Sequence, residues 1–353
     1  MHYKTYKLEQ EEKLKSVASK FNVTEKALKD LNPEMHLITF PFMDDVIAFG
    51  EEILIPLTEE NLSTDITNTD ALANLYSESY IYRTDFTVGT KLEGVMVDNS
   101  TYKSQYDVKF AENRKYASVI LSENHVSSSP EIIQKGMELL AEVDKIKCNA
   151  TFLISPKTGA INRILNYSDI IKNWETFKIN FNNIPQTKAF AKKQDDIKSF
   201  FHTVESLIKP EVNLIKDYDT KMFYPVFFTP FLVGFGDFKE HYVRILFSVL
   251  FDNEAIKFNF NSTIIEENDA FIKVRRVSEI IPNSYNLERI TKLYNERIKP
   301  IVQYDFSEYN YSYRETLTWD KEKNILKDSH VTILEEVKNN IQIVMDFNLK
   351  MID

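Results

Sequence analysis

Hydrophobic and polar residues alternate along much of the chain after residue 75, which is the spacing of β-strands with one buried face. The clearest strands are predicted over residues 309–319 and 341–351, where apolar side chains recur at alternate positions. Residues 243–251 and 256–260 continue the pattern. Strands with one apolar and one polar face are typical of antiparallel sheets that are open to water on one side.

Turn and helix signals divide these strands. The segment SPKTGA, between two apolar runs, predicts a hairpin with Gly159 at positive φ, and DKEKN at 320–324 predicts another turn. Ser129, followed by Pro130 at the first helical position, and Ser168 are expected to cap the first two of four predicted helices. The helices cover residues 128–146, 167–178, 187–209 and 285–299. Residues 76–353 are therefore expected to form an α+β domain, possibly of two subdomains, whose large, curved, mainly antiparallel sheet has helices on one face.

The pattern of apolar residues over residues 1–57 predicts a small separate module. Residues 3–8 alternate like a short strand, and EILIP at 52–56 supplies a second strand. Between them, apolar residues at helical spacing predict two helices, the second capped by Thr24 and ended by Pro33. The predicted order is strand, helix, helix, strand, followed by a polar linker at residues 58–75.

This order and spacing resemble the LysM family over about residues 3–57. The matching residues are Tyr6, Leu8, Leu14, Val17, Ala18, Phe21, Leu28, Leu31, Asn32, Pro33, Gly50, Ile53, Ile55 and Pro56. The resemblance implies a βααβ fold and a shallow groove in which the backbone of two loops binds N-acetylglucosamine-containing glycans. Both loops depart from the family pattern, because Glu11, Glu12 and Lys13 replace its Gly-Asp-Thr and a long apolar insert separates Asn32 from Gly50.

Two interpretations of the module remain open, glycan binding and docking on another protein. Residues 35–49 carry nine large apolar side chains, which are too many for an idle loop. Because a packed core resists added volume, this insert is expected to lie outside the core of the module, against the second domain or against another protein. The glycan- or partner-binding candidates are Glu11, Glu12, Lys13, Asn32, Pro33, Phe40, Phe42, Met43 and Phe49.

Charge and composition narrow the function classes. A net charge of -10 argues against a general nucleic-acid surface. The single cysteine, Cys148, excludes an intrachain disulfide and a cysteine-based zinc site. The longest apolar segment, residues 223–235, is too short to span a membrane and contains Pro225 and Pro230. Without a secretory signal at the N-terminus, the protein is expected to be cytoplasmic, or exported without a cleaved signal peptide.

Catalytic motifs are absent from the sequence, which has no P-loop, dinucleotide fingerprint, HExxH or Gly-x-Ser-x-Gly. The six histidines are scattered, so neither a metal site nor a cofactor is expected. His241, and the carboxylates of Asp217 and Asp219, are weak catalytic candidates for which structural roles are expected. The aromatic row in residues 309–319 could stack on sugars, but a packed sheet face is the favoured interpretation.

These observations favour a non-enzymatic binding or adaptor protein. It is expected to be an assembly or cargo-adaptor component of contractile injection machinery, such as type VI secretion or phage-tail-like systems, where LysM modules without export signals connect parts. The alternative is a peptidoglycan-binding protein of the bacterial cell envelope, and a cell-wall hydrolase is a weaker third class. A protein partner is favoured over a glycan, because Glu11 and Glu12 stand where backbone would meet the sugar.

Overall fold

The N-terminal segment folds into two short helices and two small antiparallel sheets. The computed structural model describes residues 3–8, 12–21, 23–32, 37–38, 46–47, 52–56, 76–111, 114–183, 194–234, 236, 240–251 and 254–352. The first elements are β1 (Tyr3–Lys7), β2 (Glu12–Lys13), α1 (Leu14–Lys20), α2 (Glu25–Leu31), β3 (Leu37–Ile38), β4 (Val46–Ile47) and β5 (Glu52–Pro56). Strand β1 pairs with β5, and β4 lies between β2 and β3. The predicted strand, two helices and closing strand are present in that order as β1, α1, α2 and β5, and the short strands β2, β3 and β4 were not predicted.

A compact apolar cluster holds this segment together. Its buried members are Leu8, Leu14, Val17, Ala18, Leu28, Ile47, Ile53 and Ile55. Most of them are the residues whose spacing predicted the two helices and the closing strand. Ile47 belongs to the apolar insert, so the expectation that the whole insert lies outside the core is wrong at this position. The reason is that β4 pairs with β2, and this pairing places Ile47 in the core with no exposed surface.

The rest of the chain is built on one eleven-stranded antiparallel sheet, as the alternating pattern predicted. Its strands are β6 (Tyr76–Leu92), β7 (Val95–Ala111), β8 (Tyr116–Ser129), β9 (Ala150–Ile154), β10 (Ile161–Ile164), β11 (His241–Phe247), β12 (Ala255–Glu267), β13 (Phe271–Ile280), β14 (Tyr309–Asp320), β15 (Ile325–Val337) and β16 (Ile341–Ile352). Their spatial order is β10-β9-β8-β7-β6-β16-β15-β14-β13-β12-β11.

The sheet consists of two runs of neighbouring strands that meet in its middle. Strands β6 to β10 extend to one side, and β16 back to β11 extend to the other. The two runs are joined where β6 pairs with β16, from Leu92 opposite Ile341 to Ile81 opposite Ile352. The first and last strands of this part of the chain are therefore central neighbours.

Helices and aromatic side chains cover one face of the sheet, which is called the inner face below. The helices of this part are α3 (Glu131–Lys147), α4 (Tyr167–Asn180), α5 (Gln194–Ile208), α6 (Glu211–Thr220), α7 (Phe223–Phe227), α8 (Pro230–Val233), α9 (Leu287–Arg297) and α10 (Lys299–Val302), with a 3₁₀ turn at Phe181–Asn183. The ring of Phe223 on α7 stacks on Tyr106 of β7 with centroids 3.9 Å apart. Phe227 meets Tyr82 of β6 at 4.9 Å.

The apolar segment 223–235 thus supplies core helices of the sheet domain. Helices α7 and α8 were not predicted, because Pro225 and Pro230 interrupt the helical spacing. Helix α6 was not predicted either, because the segment that contains Asp217 and Asp219 was expected to be a loop. Among the residues that the structure describes, no helix is both long and apolar enough to cross a membrane.

Strand β11 is shorter than its alternating pattern predicted. It ends at Phe247, and the backbone turns over the next residues although apolar side chains continue to Phe251. The cause is the buried carboxylate of Glu335 on β15. It accepts hydrogen bonds from the Ser248 hydroxyl and from the backbone N–H groups of Val249, at 2.7 Å, and Leu250, at 3.3 Å.

Of the three predicted N-cap residues, one is confirmed and two are wrong. The Thr24 Oγ1 accepts a hydrogen bond from the N–H of Ala27 at 3.1 Å, so Thr24 caps α2 as predicted. Ser129 does not cap α3, because its backbone belongs to the β7–β8 ladder and Pro130 takes the cap position. Ser168 lies inside α4, which begins one residue earlier and follows Asn166.

The hairpin between β9 and β10 confirms the predicted role of Gly159. Its φ is +73°, and a Cβ at this position would lie 2.0 Å from the carbonyl oxygen of Thr229. Glycine is therefore required both for the backbone conformation and for the close approach of the α7–α8 connection.

We expect Gly159→Ala to lower the free energy of unfolding by at least about 2 kcal/mol, from positive-φ strain and steric overlap together. The matched control is Gly136→Ala within α3, where nothing lies within 4 Å of the added Cβ. That substitution should raise stability by roughly 0.5–1 kcal/mol, because alanine is the better helix former. Chemical denaturation of both variants measures the difference, and equal stabilities would contradict this account of the hairpin.

Candidate binding surface

The candidate residues of the N-terminal segment hold local structure where the structure describes them. The Glu12 carboxylate accepts a hydrogen bond from the Tyr6 hydroxyl at 2.6 Å. Lys13 precedes the first turn of α1, and the Asn32 side chain donates to the Leu28 carbonyl at the end of α2, at 2.8 Å. The other candidates, Glu11, Pro33, Phe40, Phe42, Met43 and Phe49, lie outside the described residues.

The weak catalytic candidates also have structural neighbours. Asp217 lies in α6, a helix where the sequence suggested a loop, and its carboxylate pairs with Lys147 at 2.8 Å. His241 Nδ1 lies 2.8 Å from the Asn261 side-chain oxygen on the neighbouring strand. Burial raises the pKa of the Cys148 thiol to about 11, which suppresses the reactive thiolate.

The aromatic row of β14 is the packed face of the sheet. The side chains of Tyr309, Tyr311, Tyr313 and Trp319 are all buried. Tyr311 meets Phe258 of β12 with ring centroids 5.0 Å apart. Because these rings have no open face, the possibility of a sugar-stacking platform is removed.

Buried charges on the inner face are also held by partners. Arg276 on β13 pairs with Glu315 on β14 at 3.2 Å, and Glu315 accepts a further hydrogen bond from Ser329 at 3.0 Å. Arg114 pairs with Glu78 at 2.7 Å and donates to the Leu232 carbonyl at 3.2 Å. These contacts join strands to each other and to the helices. Removing one partner of a buried pair would be costly, because it would leave an uncompensated charge.

The opposite face of the sheet, called the water-facing side below, is polar across most of its width. One row of directly opposed residues crosses eight strands. It consists of His125, Lys103, Asp85, Asn348, His330, Thr316, Arg275 and Thr263. Cross-strand bonds organise this side, including His330 Nε2 with Asp346 at 2.8 Å and the Thr318 hydroxyl with Asp328 at 2.9 Å.

Two exposed arginines interrupt this organised surface. Arg275 on β13 is opposite Thr316, and Arg314 on the neighbouring strand β14 is opposite Val277. The two positions are therefore diagonal neighbours, which lie about 7–8 Å apart in an antiparallel pair. Neither guanidinium has an ion-pair partner in the described part of the chain. Together with the neighbouring threonines Thr263, Thr316 and Thr332, they form the surface called the arginine patch below.

The sequence contained a signal for this patch. Arg314 alternates with the buried tyrosines of β14, so the period that predicted the apolar face also placed Arg314 on the other side. Its proximity to Arg275 depends on the β13–β14 register, which the periodicity does not specify. The proximity of the two arginines is therefore a property of strand pairing.

Comparisons with known proteins correct the family assignment. No family model matches the chain, and no curated protein matches its sequence. The LysM assignment is therefore wrong. The spacing that suggested it is explained by packing, since Leu14, Leu28 and Ile55 are core residues of a small strand–helix–helix–strand unit.

One solved structure, of lipid–protein interactions in lipovitellin, is similar over 78% of this chain and 25% of that chain. The identity is 8% and the TM-score is 0.37. This chain thus spans about a quarter of the lipovitellin chain, and no shared function follows from a likeness of this size.

The buried carboxyl of Glu335 is expected to make the stability of the fold depend on pH. Burial raises the pKa of its carboxyl above the ordinary value, although hydrogen bonds from Ser248, Tyr309 and two backbone N–H groups oppose the shift. The folded state therefore holds this proton more tightly than the unfolded chain does. The Glu335 carboxyl therefore makes its full contribution to the free energy of unfolding below the ordinary pKa of glutamate. This contribution is lost as pH rises through the folded-state pKa.

We therefore expect Glu335→Gln to gain stability relative to the wild type as pH rises from about 4 to about 8, because glutamine has no proton to lose. Urea denaturation at several pH values measures the difference between the two unfolding free energies. Glu336→Gln, on the water-facing side of the same strand, is the control for loss of one carboxyl group. A difference that falls with rising pH would contradict the assignment.

Proposed function

We propose that this chain is a non-enzymatic binding protein that docks a protein partner on the water-facing side of its large sheet. The observation that carries the proposal is the arginine patch, with two exposed guanidinium groups on adjacent strands and no ion-pair partner for either within the described residues. Arginine is enriched at protein interfaces and often dominates their binding energy.

The chemistry of the patch favours an acidic partner segment. A guanidinium group presents a planar fork of donors that matches a carboxylate in a bidentate arrangement. Thr263, Thr316 and Thr332 add hydroxyl groups beside the arginines, which can donate or accept hydrogen bonds. An extended acidic segment that crosses β13 and β14 would place its carboxylates against both guanidinium groups.

The negative net charge of the chain does not prevent this interaction. Charges separated by more than about 8 Å are largely screened at physiological ionic strength. Once the partner has docked, its attraction to the two nearby arginines is therefore stronger than its repulsion by the net charge of -10. The net charge slows the approach of an acidic partner and makes the association rate dependent on salt.

The buried ionisable groups support a binding function over an enzymatic one. Asp217 is paired with Lys147, and Glu315 and Glu335 each have several partners that hold the fold. A shallow, open depression lies on the exposed side of α9, lined by Leu287, Glu288, Thr291, Lys292, Asn295 and Glu296. It brings together no set of residues suited to acid–base or nucleophilic chemistry.

Of the functions expected from the sequence, the general class of adaptor protein is retained, without assignment to a particular assembly. The injection-system and peptidoglycan assignments both depended on the LysM resemblance, so they lose their basis with it. What remains is a binding protein whose recognition surface lies on the sheet.

The proposal is tested by reversing the charge of the patch with Arg275→Glu and Arg314→Glu together. A partner would be purified with the wild-type chain from its native host, and its affinity for each variant measured by calorimetry. We expect the double variant to bind at least about tenfold more weakly, which corresponds to roughly 1.4 kcal/mol.

The control replaces two exposed lysines of the helical layer, Lys135→Glu and Lys292→Glu, so that the net charge changes equally. This variant should bind like the wild type. Hydrogen exchange of the complex should show protection on β13 and β14. Equal binding by both double variants, or protection confined to the helices, would refute the proposal.

A further inference from the structure

The two ends of the large sheet differ in how their edges are covered. At one end, β10 has four residues, and the N–H of Ile164 donates to the Glu211 carboxylate of α6 at 2.7 Å. At the other end, the seven residues of β11 pair with β12 on one side only. Unpaired strand edges are templates for pairing with another chain.

Two backbone hydrogen bonds at the ends of β11 establish which of its backbone groups face the open edge. The N–H of Ser262 donates to the Glu240 carbonyl at 2.7 Å, and the N–H of Ser248 donates to the Glu254 carbonyl at 2.9 Å. In an antiparallel ladder, directly opposed pairs alternate between bonded and non-bonded. Even-numbered residues of β11 therefore bond to β12, and the N–H and C=O groups of the odd-numbered residues point to the open edge.

Nothing else in the described structure occupies that edge. Residues 241, 243, 245 and 247 make no backbone hydrogen bond outside the β11–β12 ladder among the described residues. The strand sequence, HYVRILF, has no proline or lysine, two residues that commonly protect an edge, and its charged residue Arg244 is held on the inner side by the Pro225 carbonyl. Its length and composition suit strand pairing.

The side chains of the same odd-numbered residues are apolar and lie outside the core. Val243 is 57% exposed, and Ile245 and Phe247 are half-buried. Tyr242 and Leu246 point the other way and pack on the inner core. An added antiparallel strand would therefore meet both free backbone groups and an apolar stripe on the water-facing side.

We infer that two copies of this chain pair through β11 to form a continuous sheet about a two-fold axis at Ile245. In this register Ile245 opposes its own counterpart, and Val243 opposes Phe247 of the second copy. All these residues are odd-numbered, so each of the three pairs exchanges two backbone hydrogen bonds. The apolar stripe of each copy covers that of the other.

Charge disfavours one of the two neighbouring registers. An axis at Arg244 would also pair odd with odd residues, but it would place Arg244 against Arg244 of the second copy on the inner face. Like charges directly opposite each other destabilise a strand pair. With the axis at Ile245, Arg244 opposes Leu246 and keeps its hydrogen bond to the Pro225 carbonyl at 3.0 Å.

The test is the mass of the purified chain in sedimentation equilibrium over a wide dilution series. The wild type should approach twice its 41.4 kDa chain mass. Ile245→Lys places two ammonium groups face to face on the axis and should leave a monomer. Asn259→Lys adds the same charge on the exposed side of β12, one strand inward, and should still dimerise.

Hydrogen exchange separates the proposal from loss of folding. In the wild type the amides of Ile245 and Phe247 should gain protection as concentration rises, whereas that of Leu246 is protected at every concentration. Ile245→Lys should keep the circular dichroism and thermal transition of Asn259→Lys. A wild-type monomer at all concentrations would overturn the inference, including the case in which a different protein's strand uses this edge. A dimeric Ile245→Lys variant would overturn it as well.

Discussion

The pairing of β6 with β16 is the constraint on which the large sheet depends. These strands begin and end the sheet domain, and their twelve opposed residue pairs close nearly all of its length into one loop. Closing a long loop costs conformational entropy before the contacts form. Each half of the sheet can assemble from strands that follow one another in the chain, but the two halves share one surface only after Ile341 pairs with Leu92 and Ile352 pairs with Ile81.

The inner and water-facing sides use polar groups differently. On the inner face, Arg276 and Glu315 are desolvated and hold one another, because an unpaired charge there would be costly. On the other side, His330 and Asp346 form a half-exposed pair whose energetic contribution is small in water. Polar groups on the inner face are thus paired within the protein, whereas those on the water-facing side remain solvated.

Much of the sheet could be predicted from alternation, and the candidate surface could not. The buried tyrosines of β14 follow period two, so strand and orientation were readable from residues 309–319. Periodicity failed where a distant side chain intervenes, as when Glu335 ends β11 after Phe247. It also cannot supply register, so the neighbouring positions of Arg275 and Arg314 needed the folded sheet. The N-terminal candidates were chosen from a family pattern that core packing alone explains.

The bond from Ile164 to Glu211 affects more than the end of the sheet that it covers. A sheet with two open edges can add chains without limit, and that is how fibres grow. Here one edge of the large sheet is covered by a side chain of α6, so within the described residues this sheet has one open edge, at β11. The carboxylate of Glu211 thereby caps this edge, and it prevents a sheet of long, aromatic-rich strands from polymerising through both of its edges.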